Sequence, residues 1–151
     1  MDIIKRALIT LISSGFLFVS GNAFAQETPA AAPAGVTLVE AKAVQDLQAK
    51  GAVLIDSRKT SEFAEATIKG AISVPYDPEK SAKDANFDAA QDKYDMGKIA
   101  DKNKDYVVFC NSGTCWKSYK AAVVMAKAGY KNVHWYRNGF PDWKARKLPM
   151  D

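Results

Sequence analysis

The chain has 151 residues, of which 48% are hydrophobic, which fits one ordinary globular domain and excludes a large multidomain enzyme or a repeat array. The 21 Lys and Arg residues exceed the 17 Asp and Glu residues only slightly and form no basic run interleaved with aromatic residues, so we expect no nucleic-acid binding. Two cysteines and the single histidine, His134, are too few for a four-cysteine zinc site or a histidine-based centre, so we expect no metal.

The first 25 residues have the layout of a secretory signal peptide. Lys5 and Arg6 precede an apolar run over residues 7–19, and a small-residue pattern ends at Ala25. We predict that residues 1–25 are cleaved off and that the mature chain is periplasmic, with secretion beyond the periplasm as the alternative. A membrane anchor is the competing interpretation, but the apolar run is short for a span, so we expect no membrane attachment after cleavage.

Residues 26–35 contain two prolines and no large apolar residue, which predicts a flexible lead-in to a domain over residues 36–151. Short apolar or alternating runs predict strands, and apolar residues at helical spacing predict helices. The predicted strands are residues 52–55, 68–75, 106–109 and 133–136. The predicted helices are residues 38–47, 60–66 and 140–145, together with a helix that contains 121–125 and ends at Gly129. Residues 76–105 are polar, and one surface helix is predicted there from Phe87, Ala90, Tyr94 and Met96.

Strands that alternate with helices predict an α/β fold with a mainly parallel central sheet and helices on both faces. Ligands in such sheets bind outside the carboxyl ends of the strands. Asp56 and Cys110 each follow a strand that is predicted to be buried, so both are expected at this edge. Arg58 lies two residues after Asp56, and we expect an ion pair that supports the site by tying its loop down.

Cys110 lies between a predicted strand and a predicted helix, where unpaired backbone N–H groups and the helix dipole favour a thiolate. The same N–H groups can hold a bound anion. Gly113 is predicted to let the loop turn so that its amides point inward. Asn111, Ser112 and Thr114 are expected to supply small polar groups. Trp116 is expected to form one wall of the pocket, and Lys117 to supply a positive charge.

Other interpretations of Cys110 stay open at this point. It can be a buried cysteine that packs as a small hydrophobic residue. It can also form a structural disulfide with Cys115 in an oxidising compartment, although a bridge over so short a loop stabilises a fold only modestly. A cysteine phosphatase site is disfavoured because Arg58, Arg137 and Arg146 all lie outside the loop, where phosphate binding needs an arginine.

Segments in both halves of the chain resemble rhodanese-like domains, and they come in the same order as in that family. The segments of the first half are residues 55–58, 62–63, 68–71 and 74–75. The segments of the second half are residues 108–113, 118, 121–122, 128–130, 132–133, 138–140, 143 and 149. The resemblance implies a rhodanese-like fold over essentially all of residues 36–149.

The resemblance also implies a sulfurtransferase in which Cys110 is the nucleophile and carries sulfur as a persulfide. The thiolate would attack the sulfane sulfur of a donor such as thiosulfate, and a thiol or cyanide would then accept that sulfur. Loop amides would stabilise the charge at each step. Such a reaction needs no metal or organic cofactor.

Cys115 and Trp116 depart from the common rhodanese loop, in which a basic residue often stands five places after the nucleophile and a serine follows it. Here Lys117 and Ser118 come two places later, so the loop is longer. The Cys115–Trp116 pair resembles an exported subgroup with a second loop cysteine followed by tryptophan. We hypothesise that Cys115 resolves a Cys110 persulfide and leaves a disulfide. The alternative function is a non-catalytic or thiol-redox module that binds a periplasmic partner.

Overall fold

The computed structural model describes residues 25–151. The predicted signal peptide therefore lies outside the described residues, except for Ala25 at its end. Within residues 25–151, the helices are all too short or too polar to cross a membrane.

Five parallel strands form one sheet in the order β1-β5-β4-β2-β3. The strands are β1 Val36–Leu38, β2 Val53–Asp56, β3 Ile72–Ser73, β4 Asp105–Phe109 and β5 Asn132–Tyr136. The α-helices are α1 Ala41–Ala49, α2 Thr60–Glu65, α3 Trp116–Lys127 and α4 Gly139–Ala145, and two short 3-10 helices cover Ala89–Gln91 and Gly97–Ile99. The predicted α/β architecture with a parallel central sheet is confirmed.

Helices cover both faces of the sheet because β2 and β4 place consecutive apolar residues on opposite faces. Leu54 and Val107 belong to one buried core, which includes residues of α1 and α4. Ile55 and Val108 belong to the other core, which includes residues of α3. Burial of each such side chain contributes about 1.5–3 kcal/mol, and this packing fixes the adjacent carboxyl ends of β2 and β4 at one edge of the sheet.

The first helix and the second predicted strand are both shorter than their sequence patterns suggest. Apolar periodicity predicts a helix from Leu38, whereas Val36–Leu38 is an edge strand that pairs with β5, and α1 begins at Ala41. Three residues are too few to show the alternation of a strand, so the helix was predicted to begin too early. The strand predicted over residues 68–75 is reduced to β3, because Gly70 turns the chain with a φ of 78°.

The prediction of a surface helix within residues 76–105 is wrong, since only the two short 3-10 helices form there. Aspartate side chains in this segment accept hydrogen bonds from backbone N–H groups two residues ahead. Asp84 accepts from Asn86 at 2.7 Å, and Asp88 accepts from Ala90 at 3.1 Å. Such local bonds compete with the backbone bonds of an α-helix.

Asp92 fixes this polar segment to the rest of the domain. Its carboxylate accepts hydrogen bonds from the Tyr76 hydroxyl at 2.8 Å and from the backbone N–H groups of Lys80 and Ser81 at 2.7 Å. Burial acts to raise the pKa of Asp92, but the hydrogen bonds from Ser81, Tyr76 and Lys80 outweigh it and hold the pKa below its usual value. Lys120 of α3 is fully buried and donates to the Ser81 hydroxyl at 2.8 Å, which joins the segment to the helix after the cysteine loop.

Candidate active site at the Cys110 loop

Cys110 directly follows β4 at the carboxyl edge of the sheet, and Cys115 is the N-cap residue of α3. The two cysteines form a disulfide, with their Cα atoms 6.2 Å apart. Cys110 is 1% exposed, and Cys115 is partly exposed. The question that the sequence left open, whether the two cysteines are bridged, is therefore answered for this structure.

The disulfide determines what Cys110 can do in this state. Its Sγ atom is bonded to the sulfur of Cys115, so it is not available as a nucleophile. The thiolate that the sequence predicts therefore belongs to a reduced form of the loop. Reduction of the bridge is required before Cys110 can act as a nucleophile toward a sulfur donor.

The loop between the cysteines is braced by its own polar groups. The Cys115 N–H donates to the Ser112 carbonyl at 3.0 Å, and the hydroxyls of Ser112 and Thr114 are 2.9 Å apart. The Asn111 amide donates to the Glu62 carboxylate of α2 at 2.8 Å, which ties the start of the loop to a neighbouring helix. Three of the predicted ligand-binding side chains thus stabilise the loop in the oxidised form.

Arg137 also belongs to this site, although its place in the sequence does not by itself predict that. It directly follows β5, the neighbour of β4, and its guanidinium lies against Gly113, where a Cβ atom would come within 2.8 Å of its Cζ. Gly113 does not have a positive φ, and a side chain at this position would displace the Arg137 guanidinium. Because parallel strands end at the same edge of a sheet, the position of Arg137 directly after a predicted strand could have indicated that it lies near the cysteine loop.

Residues 26–29, which we call the strap, pack on the cysteine loop. The backbone N–H and the hydroxyl of Thr28 both donate to the Gly113 carbonyl, at 2.8 and 2.7 Å, and Thr28 is only 3% exposed. The indole N–H of Trp116 donates to the Gln26 carbonyl at 2.8 Å. The flexible lead-in that was predicted for residues 26–35 is thus anchored at its beginning. Hydrogen bonds rather than apolar burial hold the strap in place, so the amino-acid composition of the segment does not predict that it is anchored.

The strap also engages Arg137. The guanidinium donates to the carbonyls of Thr28 and Pro29 at 3.0 and 3.1 Å, and it forms an ion pair with Glu27 at 3.3 Å. One arginine therefore contacts both the strap and the cysteine loop. The contact joins the start of the described chain to the end of β5.

Gly139 and Phe140, at the start of α4, hold the backbone of Cys110 in place. The Phe140 N–H donates to the Cys110 carbonyl at 2.8 Å. Gly139 has a φ of 66°, and a Cβ atom on it would lie 2.3 Å from the Cys110 carbonyl oxygen. Glycine is required here both for its backbone conformation and for the close approach of the two chains.

Asp56 and Arg58 form the ion pair that the sequence predicts, and both are buried. The Arg58 Nη2 atom lies 2.7 Å from Oδ2 of Asp56, and the Thr67 hydroxyl donates to the same oxygen at 2.8 Å. The guanidinium carbon of Arg58 lies 4.3 Å from the centre of the Phe140 ring. The pair therefore supports the turn that holds Cys110 through Phe140.

Lys117 and His134 have polar partners outside the cysteine loop. The Lys117 ammonium donates to the Tyr76 carbonyl at 2.7 Å and lies 3.3 Å from the Asp77 carboxylate. His134 lies 2.9 Å from the carboxylate of Asp105, the first residue of β4, which is at the opposite end of that strand from the cysteine. Trp116 is buried and packs edge-on against Tyr119, with ring centres 5.3 Å apart.

Comparisons with known proteins agree with this architecture. The chain is 29% identical over 94 residues to a putative mitochondrial thiosulfate sulfurtransferase of Schizosaccharomyces pombe, and the match covers 62% of this chain and 64% of that protein. It is 27% identical over 106 residues to the thiosulfate sulfurtransferase GlpE of Haemophilus influenzae, covering 70% of this chain and 86% of that protein. The structure of a rhodanese-related protein from Thermoplasma volcanium superposes with a TM-score of 0.58 at 19% identity, over 76% of this chain and 97% of that one.

A family model described as the rhodanese-like domain matches residues 40–146. This range runs from the residue before α1 to the residue after α4 and includes the whole cysteine loop. The chain belongs to the family of rhodanese-like domains.

Proposed function

We propose that this protein is a sulfurtransferase in which Cys110, once reduced, carries sulfane sulfur as a persulfide. The observation that carries the proposal is the place of Cys110, which directly follows the central strand β4, begins the loop before α3 and is already bonded to a second sulfur atom. In a persulfide, the sulfane sulfur is bonded to the same Sγ atom. Family membership and the names of the two sulfurtransferase relatives support the assignment.

Sulfur transfer from thiosulfate takes two displacement steps. The Cys110 thiolate attacks the outer sulfur of thiosulfate, a new sulfur–sulfur bond forms on Sγ, and sulfite leaves with the electron pair of the broken bond. A thiolate or cyanide then attacks the outer sulfur of the persulfide, and Cys110 leaves as the thiolate. The sulfane sulfur changes carrier without changing its oxidation state, so these steps need no oxidant or cofactor.

The loop offers groups that suit the negative charge of thiosulfate and sulfite. Within residues 25–151, the backbone N–H groups of Ser112 and Gly113 make no backbone–backbone hydrogen bond. They lie in the loop that leads into the N-terminus of α3, where the helix dipole favours an anion. The guanidinium of Arg137 beside Gly113 adds a positive charge. In the reduced loop we assign the binding of the donor anion to these groups, with Asn111 and Thr114 at the rim.

Cys115 gives the persulfide a second outcome. The Cys115 thiolate attacks Sγ of Cys110, forms the disulfide that the structure contains and expels sulfide. The two cysteines lose two electrons and the sulfane sulfur gains them, so no further oxidant is needed. A thiol reductant must then open the bridge before the next cycle.

Thiosulfate is expected to yield sulfite only after the disulfide is reduced. Reduced protein, freed of excess reductant, is expected to release about one sulfite per chain in a first turnover, and the oxidised protein less than about a hundredth of that. Reduced protein whose thiols have been alkylated serves as the control for release that does not depend on the cysteines. Equal sulfite release from oxidised and reduced protein contradicts the proposal.

The disulfide also favours a second candidate, a thiol-redox or binding module whose cysteines stay bridged while it contacts a periplasmic partner. Titration of the bridge with a mild reductant separates the two functions. A bridge that opens readily supports turnover, and one that resists reduction supports the module.

We further propose that the chain is exported to the periplasm and begins at Gln26. A disulfide persists in an oxidising compartment, and Gln26 is the first residue of the strap. The mass of protein recovered from the periplasm of a bacterial host is expected to correspond to residues 26–151. Recovery of the uncut chain from the cytosol alone contradicts this proposal.

A further inference from the structure

The two cysteines of the disulfide differ in their exposure to solvent. Cys110 is 1% exposed, whereas Cys115 is partly exposed. Reduction of a disulfide begins when a thiolate attacks one of its two sulfur atoms, and the rate depends on access to that atom. The difference in exposure therefore favours attack on Cys115 over attack on Cys110.

The fold explains why the two cysteines differ. Cys110 directly follows β4, the central strand of the sheet, and its carbonyl accepts a hydrogen bond from the Phe140 N–H at the start of α4. Cys115 lies at the other end of the loop, as the N-cap of α3, and its neighbour Thr114 is exposed. Cys110 thus belongs to the packed edge of the sheet, whereas Cys115 is a partly exposed residue of the loop.

We propose that an external dithiol opens the bridge by attacking Sγ of Cys115, so that Cys110 leaves as the first free thiolate. The inference rests on the proposed function, in which Cys110 must be free to accept sulfur. The attacking thiolate forms a mixed disulfide with Cys115, and the electron pair of the broken bond goes to Cys110. The second thiol of the reductant then displaces Cys115 as its thiolate. The reductant ends as a disulfide and the protein as a dithiol, so the electrons balance.

The direction of attack decides what the first step achieves. Attack on Cys115 frees the nucleophile of sulfur transfer immediately, whereas attack on Cys110 would leave that nucleophile capped by the reductant. The strap contacts Gly113 and Trp116, on either side of Cys115 in the chain. The partner is therefore a dithiol whose attacking sulfur is exposed enough to reach Cys115 beside the strap.

The position of the mixed disulfide tests the inference directly. Oxidised full-length protein is mixed with glutathione, the freed thiolate is capped within seconds by N-ethylmaleimide, and tandem mass spectrometry locates both groups. We expect glutathione on Cys115 and maleimide on Cys110, with a preference of about tenfold or more over the reverse pattern. The reverse pattern, equal labelling or a bridge that stays intact overturns the inference.

The same chain unfolded in urea provides the control. Both sulfur atoms are accessible there, so the preference is expected to fall to about twofold or less if folding creates it. A preference that persists in urea means that the local sequence and not the fold selects Cys115, which overturns the structural argument. The reaction mixture contains no sulfur donor, so its outcome is independent of whether the protein transfers sulfur from thiosulfate.

Discussion

Reduced protein with the Cys110→Ser substitution is expected to release sulfite from thiosulfate at least about 1,000-fold more slowly than the unsubstituted reduced protein. A serine hydroxyl is a far weaker nucleophile than a thiolate near neutral pH, and it cannot form a persulfide. Cys110 is the cysteine at the carboxyl end of the central strand, so its loss removes the atom that carries the sulfur. The release of sulfite in a first turnover measures this step alone.

Cys115→Ser is the matched substitution, since it changes the same type of side chain five residues away. This variant is expected to keep the first release of sulfite within about threefold of the unsubstituted reduced protein and to accumulate the persulfide. It is expected to release no sulfide until an external thiol is added, because the resolving thiol is absent. Equal loss of sulfite release in both variants would contradict the separate roles of the two cysteines.

Replacing Gly139 with alanine is expected to lower the free energy of unfolding by about 3 kcal/mol or more. The φ of 66° is strained for any residue with a Cβ atom, and that atom would lie 2.3 Å from the Cys110 carbonyl oxygen. The start of α4 must move away, which weakens the hydrogen bond from Phe140 to Cys110. Urea unfolding of the oxidised protein measures the change.

Gly51→Ala separates the clash from the backbone strain. Gly51 also has a positive φ, of 95°, but a Cβ atom on it would meet no other atom within 4 Å. Its substitution is expected to cost about 1–2 kcal/mol, the strain alone. If Gly139→Ala and Gly51→Ala lower the free energy of unfolding by the same amount, the clash between a Cβ atom at Gly139 and the Cys110 backbone makes no contribution, which contradicts the prediction.

The edge of the sheet that carries the cysteine loop could be predicted from the sequence. Asp56 and Cys110 follow runs of consecutive apolar residues, a pattern typical of parallel strands that are buried on both faces. The structure places β2 and β4 side by side, with Asp56 opposite Phe109. Long-range position followed from a local pattern here because parallel strands all end at one edge.

The strap could not be predicted in the same way. Thr28 forms hydrogen bonds with Gly113, which is 85 residues away in the chain, and with Arg137, which is 109 residues away. Such contacts leave no periodic pattern in the sequence, and a segment rich in proline and alanine is typical of a flexible linker. The contact between Gly113 and Arg137 could not be predicted for a related reason, because the two residues come together only once β4 and β5 are paired.

The most direct measurement is the mass of the loop peptide after reduced Cys115→Ser protein, which lacks the resolving thiol, has been mixed with thiosulfate and quenched in acid. A persulfide mechanism predicts one additional sulfur atom on Cys110, removable by cyanide as thiocyanate. An unmodified Cys110 in Cys115→Ser protein that still releases sulfite would contradict it.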